Sequence, residues 1–184
     1  MCTEWTHAFA GVAIARLASG RKMPWYYWGL AAILPIIPDF DAFSTHGYDD
    51  SPFAHRGLTH SLVFALALGL GAAAISFRKL KVSYRDLGGL FFMVAATHAI
   101  LDALNKNTAG VALFWPFSSA RYGPWGPIPV PDIAVEIPDP RTSRAVRGEL
   151  LWVWLPLSAA MVAVTAYRMI RTRRRGRESI PRSL

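Results

Sequence analysis

FAHRGLTHSLVFALALGL, residues 53–70, sets His55, Arg56, Thr59 and His60 directly against an uncharged apolar run. The run continues as SLVFALALGLGAAAISF over 61–77. It is close to the roughly 20 residues that cross a bilayer. The polar side chains therefore stand at the lip of a membrane span. Ionisable groups at that depth are costly and usually mark function. Read this way, the stretch commits the chain to a helical membrane bundle, and the remaining sequence agrees.

Apolar residues make up 53% of the 184 and charged residues only 17%, where soluble domains carry about 25%. The formal net charge is +8, and the excess is concentrated in YRMIRTRRRGRESIPR at the C-terminus. A basic run can bind nucleic acid. Following an apolar segment, it reads instead as a cytoplasmic anchor, and nucleic acid is not the expected partner. Cys2 is the single cysteine, which excludes an internal disulfide or a thiolate metal cluster. No cleavable signal peptide is expected, because no basic n-region precedes an apolar core.

Five segments read as helices: Trp5–Ala18, Trp25–Ile37, Ser61–Phe77, Leu87–Leu104 and Leu150–Ile170. The fifth meets the length of a span, the third and fourth approach it, and the first two are short. Pro35 should kink the end of the second. Trp25, Tyr26, Tyr27 and Trp28 fit an interfacial aromatic belt.

The connectors set the expected orientation. Arg21 and Lys22 follow the first segment, which has Arg16 in its last turn, and Arg78, Lys79, Lys81 and Arg85 follow the third. Arg168, Arg171, Arg173, Arg174, Arg175, Arg177 and Arg182 close the chain. These are fourteen of the twenty basic residues. All fall on alternate connectors, which the positive-inside rule assigns to the cytoplasm. The expectation is an all-α integral membrane bundle of about five helices. Residues 1–170 form one domain, 105–148 an ordered extracytoplasmic loop, and 171–184 a basic cytoplasmic tail. The aromatics of the 105–148 loop (Phe114, Trp115, Phe117, Tyr122, Trp125) argue against disorder, so it reads as a cap.

On this topology the candidate ligands gather at one face. His7 lies at the outer end of the first segment, and Asp39 and Asp41 (IIPDFDAF) at the outer end of the second. His55 and His60 precede the third, and His98 and Asp102 (ATHAILDAL) close the fourth. His98 and Asp102 share a helix face. Asp39 and Asp41, taken as an extended turn, would project to the same side. Thr59 could cap the third helix and leave both histidines at its mouth. Imidazoles with carboxylates and no thiolate suit Zn²⁺, Mn²⁺ or Fe²⁺. His46, in STHGYDDSP, reads as a solvated loop residue.

In order, TH, PDFD, HRGLTHS, HAILD and GVALFWPFS resemble the YdjM-type family of membrane-bound, metal-dependent hydrolases, over roughly residues 4–120. HRGLTHS is the most specific element. The family is distantly similar to zinc-dependent phospholipase C and P1-type nucleases. The resemblance implies a multi-pass protein of a bacterial or archaeal cytoplasmic (inner) membrane, and the charge topology puts its active site on the extracytoplasmic side. It implies one or two metal ions, zinc first, held by His7, Asp39 or Asp41, His60, His98 and a bridging Asp102. No histidine follows His98, so Glu149 or Glu136 would stand in for the late ligands of those enzymes.

The expected activity is metal-dependent hydrolysis of a phosphoester, a phospholipid or lipid-linked phosphate. Asp39 or Asp41 would orient or deprotonate water, and Arg56 would clamp phosphate oxygens. The alternative is a non-catalytic membrane protein in which a metal ties helix ends together.

Overall fold

In the computed structural model, residues 3–20, 22–43, 53–106, 110–123, 128–129 and 146–178 are described. Glu136, His46 and most of the 124–148 loop lie outside them. Helix α1 runs Glu4–Ala18, α2 Trp25–Ile33, α3 Leu62–Leu80 and α4 Tyr84–Ala103. Helix α5, Leu155–Glu178, continues from a π-helical turn at Leu150–Trp154. Among the described residues the fold is helical apart from a parallel pairing of Asn105–Lys106 with Ile128–Pro129 and an isolated bridge between Val111 and Tyr122. Three helices among the described residues are long and apolar enough to cross a membrane: Leu62–Leu80, Tyr84–Ala103 and Val146–Arg174.

Helix starts follow from hydroxyl caps, since the first amides of a helix lack carbonyl partners. Thr3, Ser61 and Ser83 accept from the amides of Thr6, Phe64 and Asp86 at 3.3, 3.1 and 3.1 Å. The cap of α3 is thus Ser61; the Thr59 hydroxyl bonds Asp41 instead. The second helix stops at Ile33, earlier than expected. Pro35 has no N–H to return to the Ala31 carbonyl. The chain turns at 34–36 and tightens into a 3₁₀ segment, Ile37–Phe43. Tyr27, expected in an aromatic belt, is buried and donates to the Ala15 carbonyl at 3.0 Å. Trp25 is the exposed member of that cluster.

Small residues bring the helices together. Ala65, Gly69 and Ala73 recur every four residues along the buried side of α3 and let α4 approach closely, as in membrane bundles generally. A Cβ on Gly69 would overlap the backbone of Phe91 and Phe92, and one on Gly11 would overlap the Ala31 carbonyl. Gly69→Ala should therefore destabilise the protein by about 1–3 kcal/mol, the range for overpacking. Gly71→Ala, where a Cβ meets open space, is the neutral control. Thermal unfolding of the two variants in one detergent checks this.

Helix α5 holds α1 at both ends. Glu149 accepts from the Thr3 amide and hydroxyl, each at 2.7 Å, and from the Thr6 hydroxyl at 2.6 Å. Arg168 donates to the Leu17 carbonyl at 2.7 Å and also to Ser19. A carboxylate at the N-terminus and a guanidinium at the C-terminus both match the helix dipole. The rest of α5 is mostly outward, with Leu151, Trp152, Leu155 and Val162 exposed.

Candidate metal centre

Three elements deliver four acidic and imidazole side chains to one end of the bundle. Asp39 comes from the 3₁₀ segment, His60 from the short turn Leu58–His60 before α3, and His98 and Asp102 from successive turns of α4. All four are buried, and their ligand atoms lie within 4.8 Å of one another. Asp39 Oδ1 stands 3.6 Å from His60 Nε2 and 3.5 Å from His98 Nε2. Asp102 Oδ2 stands 3.7 Å from His60 Nε2. Neighbouring ligand atoms around a tetrahedral zinc ion are separated by about 3.3–3.4 Å, so the spacing suits a shared cation.

The polar accounting points the same way. Both oxygens of Asp39, Oδ2 of Asp102, and Nε2 of His60 and His98 are buried without a hydrogen bond of ordinary geometry. Buried polar atoms are ordinarily satisfied, and a buried carboxylate needs a compensating charge. Burial lowers the His60 pKa, but the adjacent Asp39 and Asp41, with the charge of Asp102, outweigh it and raise it to about 9. A site that draws a proton this strongly also draws a divalent cation. This Asp/His group could hold a metal ion.

From α1, His7 Nε2 approaches Asp102 Oδ1 at 3.5 Å, and its ring lies 4.1 Å from that of His98. It borders the four-residue group. A second group, Asp41, His55 and His60, shares His60. The two aspartates do not project together as an extended turn would have them. A 3₁₀ helix has three residues per turn, so side chains two apart diverge. Asp39 faces His60 Nε2, whereas Asp41 Oδ2 lies 3.3 Å from His60 Nδ1.

Asp41 is already engaged. It meets His55 Nδ1 at 2.5 Å, the Arg56 amide at 3.3 Å and the Thr59 hydroxyl. Burial alone would raise its pKa, but the contacts of His55, His60 and Thr59 hold it well below the usual carboxylate range. The arrangement matches an outer carboxylate that fixes the tautomer and tilt of a ligating histidine.

Arg56 sits at φ 68°, a region that non-glycine residues rarely adopt. The turn is held by the Gly57 amide on the Ala54 carbonyl at 3.0 Å, and by the Ala112 amide on the Arg56 carbonyl at 3.0 Å. The guanidinium is buried, 3.7 Å from Asp102 Oδ2, and its Nε has no hydrogen-bond partner. Leu113 accepts from the Leu62 amide at 2.9 Å, so the 110–123 stretch lies against the mouth of α3.

The profile of the YdjM inner membrane protein family matches residues 1–172. The chain belongs to this family. It is 31% identical over 163 residues to inner membrane protein YbcI of Escherichia coli (strain K12), covering 85% of this chain and 92% of that relative. No solved structure matches. Membership and the three candidate spans place this YdjM-family protein in a membrane.

Glu149 does not join either ligand group of this family member. Its carboxylate is spent on Thr3 and Thr6, and the Trp154 indole donates to the same Thr6 hydroxyl at 2.8 Å. Glu149→Ala is expected to cost about 3 kcal/mol, because hydrogen bonds to a buried charge are strong and their donors would be stranded. The folded fraction should keep its full metal content. Thermal unfolding and elemental analysis of one preparation separate this role from ligation. Asn105, which the sequence reading passed over, is buried and donates to Asp102 Oδ1 at 3.0 Å. Its place three residues after Asp102 was the available signal.

Proposed function

We propose that this protein is a membrane-bound, metal-dependent hydrolase of phosphoesters, with a phospholipid or lipid-linked phosphate as substrate. One observation carries the reading: His60 and His98 Nε2, both Asp39 oxygens and Asp102 Oδ2 converge, buried without a hydrogen bond and spaced for a single cation. Zinc is the first choice for this thiolate-free donor set, with manganese or iron as alternatives. One ion fits best, because Asp41 would have to release Thr59 and the Arg56 amide to serve a second.

A bound divalent cation supplies Lewis acidity, making water a nucleophile near neutral pH and drawing charge from a phosphoryl group. The protein's residues do the rest. Asp39, with both oxygens uncommitted, orients water and takes its proton. Arg56 presents a planar fork to phosphate oxygens; its unpaired Nε is a donor available for that contact. Asp41 holds His60 through Nδ1, and Asn105 holds Asp102. The 110–123 stretch shelters the mouth. The basic residues Arg16, Lys22, Arg78 and Arg168 sit at the opposite helix ends from His7, His60 and Asp102, which supports an extracytoplasmic site and a cytoplasmic C-terminus.

A second reading is a structural ion that staples the 3₁₀ segment, the turn before α3 and α4. The three-element origin of the donors favours it. Protein purified in detergent and supplied with Zn²⁺ or Mn²⁺ should hydrolyse a phosphodiester such as bis-p-nitrophenyl phosphate, and a chelator should stop it. Bound metal without turnover on phosphodiester or phospholipid substrates, together with a fall in melting temperature on chelation, would select the structural reading.

A further inference from the structure

The end of the bundle away from the Asp/His group has its own chemistry. A cavity of about 700 Å³ opens between the last turn of α1, the α1–α2 connector, the start of α2 and α5. Arg16, Lys22, Arg168 and Arg173 line it, beside Trp28 and Met23, and among the described residues no carboxylate lines it. An adjoining cavity of about 820 Å³ shares Gly20 and Met23 with it and is walled mainly by apolar side chains.

Four cations around one space repel one another. Arg168 answers the terminal carbonyls of α1, so an anion there does not face the bare negative end of that helix. Arg16, Lys22 and Arg173 face the cavity, and no acidic side chain stands in its wall among the described residues. A phosphate would balance them, and the apolar space next door has the character of an acyl-chain wall rather than of a site for a small soluble anion. Basic pockets between membrane helices on the cytoplasmic side bind anionic lipid headgroups by the same physics.

We propose that this cavity is a binding site for the phosphate headgroup of an anionic glycerophospholipid, whose acyl chains leave past Met23 into the adjoining space. The site is separate from the Asp/His group and stands independently of the hydrolase reading.

The full chain, reconstituted in nanodiscs, tests it. Titrating dioleoylphosphatidylglycerol into dioleoylphosphatidylcholine discs should raise the melting temperature saturably. The variant Lys22→Gln/Arg173→Gln changes two exposed side chains that touch no part of the Asp/His group. It should bind phosphatidylglycerol roughly 30-fold more weakly, from about fivefold per cation near the surface. Its melting temperature in pure phosphatidylcholine and its zinc content should stay unchanged. The charge-conserving Lys22→Arg/Arg173→Lys should restore the response. An equal response of wild type and the charge-removing variant would overturn the proposal. So would the same stabilisation from inorganic phosphate or soluble glycerol phosphate, which would make the site one for free phosphate.

Discussion

His60→Ala is expected to leave about a tenth or less of the wild-type zinc bound and to lower phosphodiester turnover roughly a thousandfold. His60 is the one residue common to both ligand groups. Its Nε2 stands 3.6 Å from Asp39 and 3.7 Å from Asp102, and its Nδ1 3.3 Å from Asp41. Removing the ring takes a donor from the cation and leaves three carboxylates facing a hole. The protein also loses the imidazole whose pKa these carboxylates raise against its burial. Truncation therefore also lowers stability, and His60→Gln, which keeps volume and a hydrogen-bonding group, guards against mistaking misfolding for lost ligation. Elemental analysis of monodisperse protein is the measurement. Full zinc occupancy in both variants would mean that this group is no metal centre.

Asp41→Asn should have a different signature. Asp41 touches His60 through the ring nitrogen turned away from Asp39, so its effect on a cation is exerted through His60. Outer carboxylates of this kind are worth about 10–100-fold in metal affinity. Asp41→Asn should weaken zinc binding by that factor, while turnover at saturating zinc stays close to wild type. Asp39→Asn should abolish turnover even where zinc is saturating. A zinc titration of activity resolves the pair: Asp41 shifts the midpoint, Asp39 the plateau. If Asp41→Asn lost the plateau instead, Asp41 would be the group that handles water and the roles would reverse.

The long apolar helices were legible in the sequence because a bilayer demands so many consecutive apolar residues that α3, α4 and α5 cannot be disguised. Their starts were less legible. Helix α4 begins at Tyr84, three residues before its apolar run, because Ser83 caps a polar first turn that hydropathy discounts. His98 and Asp102 were readable because a spacing of four has one meaning on a helix. The relation of Asp39 to Asp41 was not, because PDFD suits an extended turn and a 3₁₀ helix equally, and only the packing of Pro35 and Pro38 decides. The partners of Glu149 were hidden for a related reason. A carboxylate at a helix mouth looks like a ligand until Thr3 and Thr6, which lie more than 140 positions away in sequence, are seen to occupy it.

The two-ended grip of α5 on α1 fixes more than a pair of helix caps. Helix α1 has 15 residues, about 22 Å of length, and could not by itself define a depth in a hydrocarbon layer about 30 Å thick. Glu149 and Arg168 are nineteen residues apart on the continuous helix Val146–Arg174 that contains most of α5, roughly 28 Å along its axis, and they bracket α1 like the jaws of a calliper. Wherever α5 settles in the bilayer, α1 settles with it, and a thinner or thicker membrane tilts the two together instead of sliding one past the other. His7, one turn inside the Glu149 jaw, thus moves with the start of that helix.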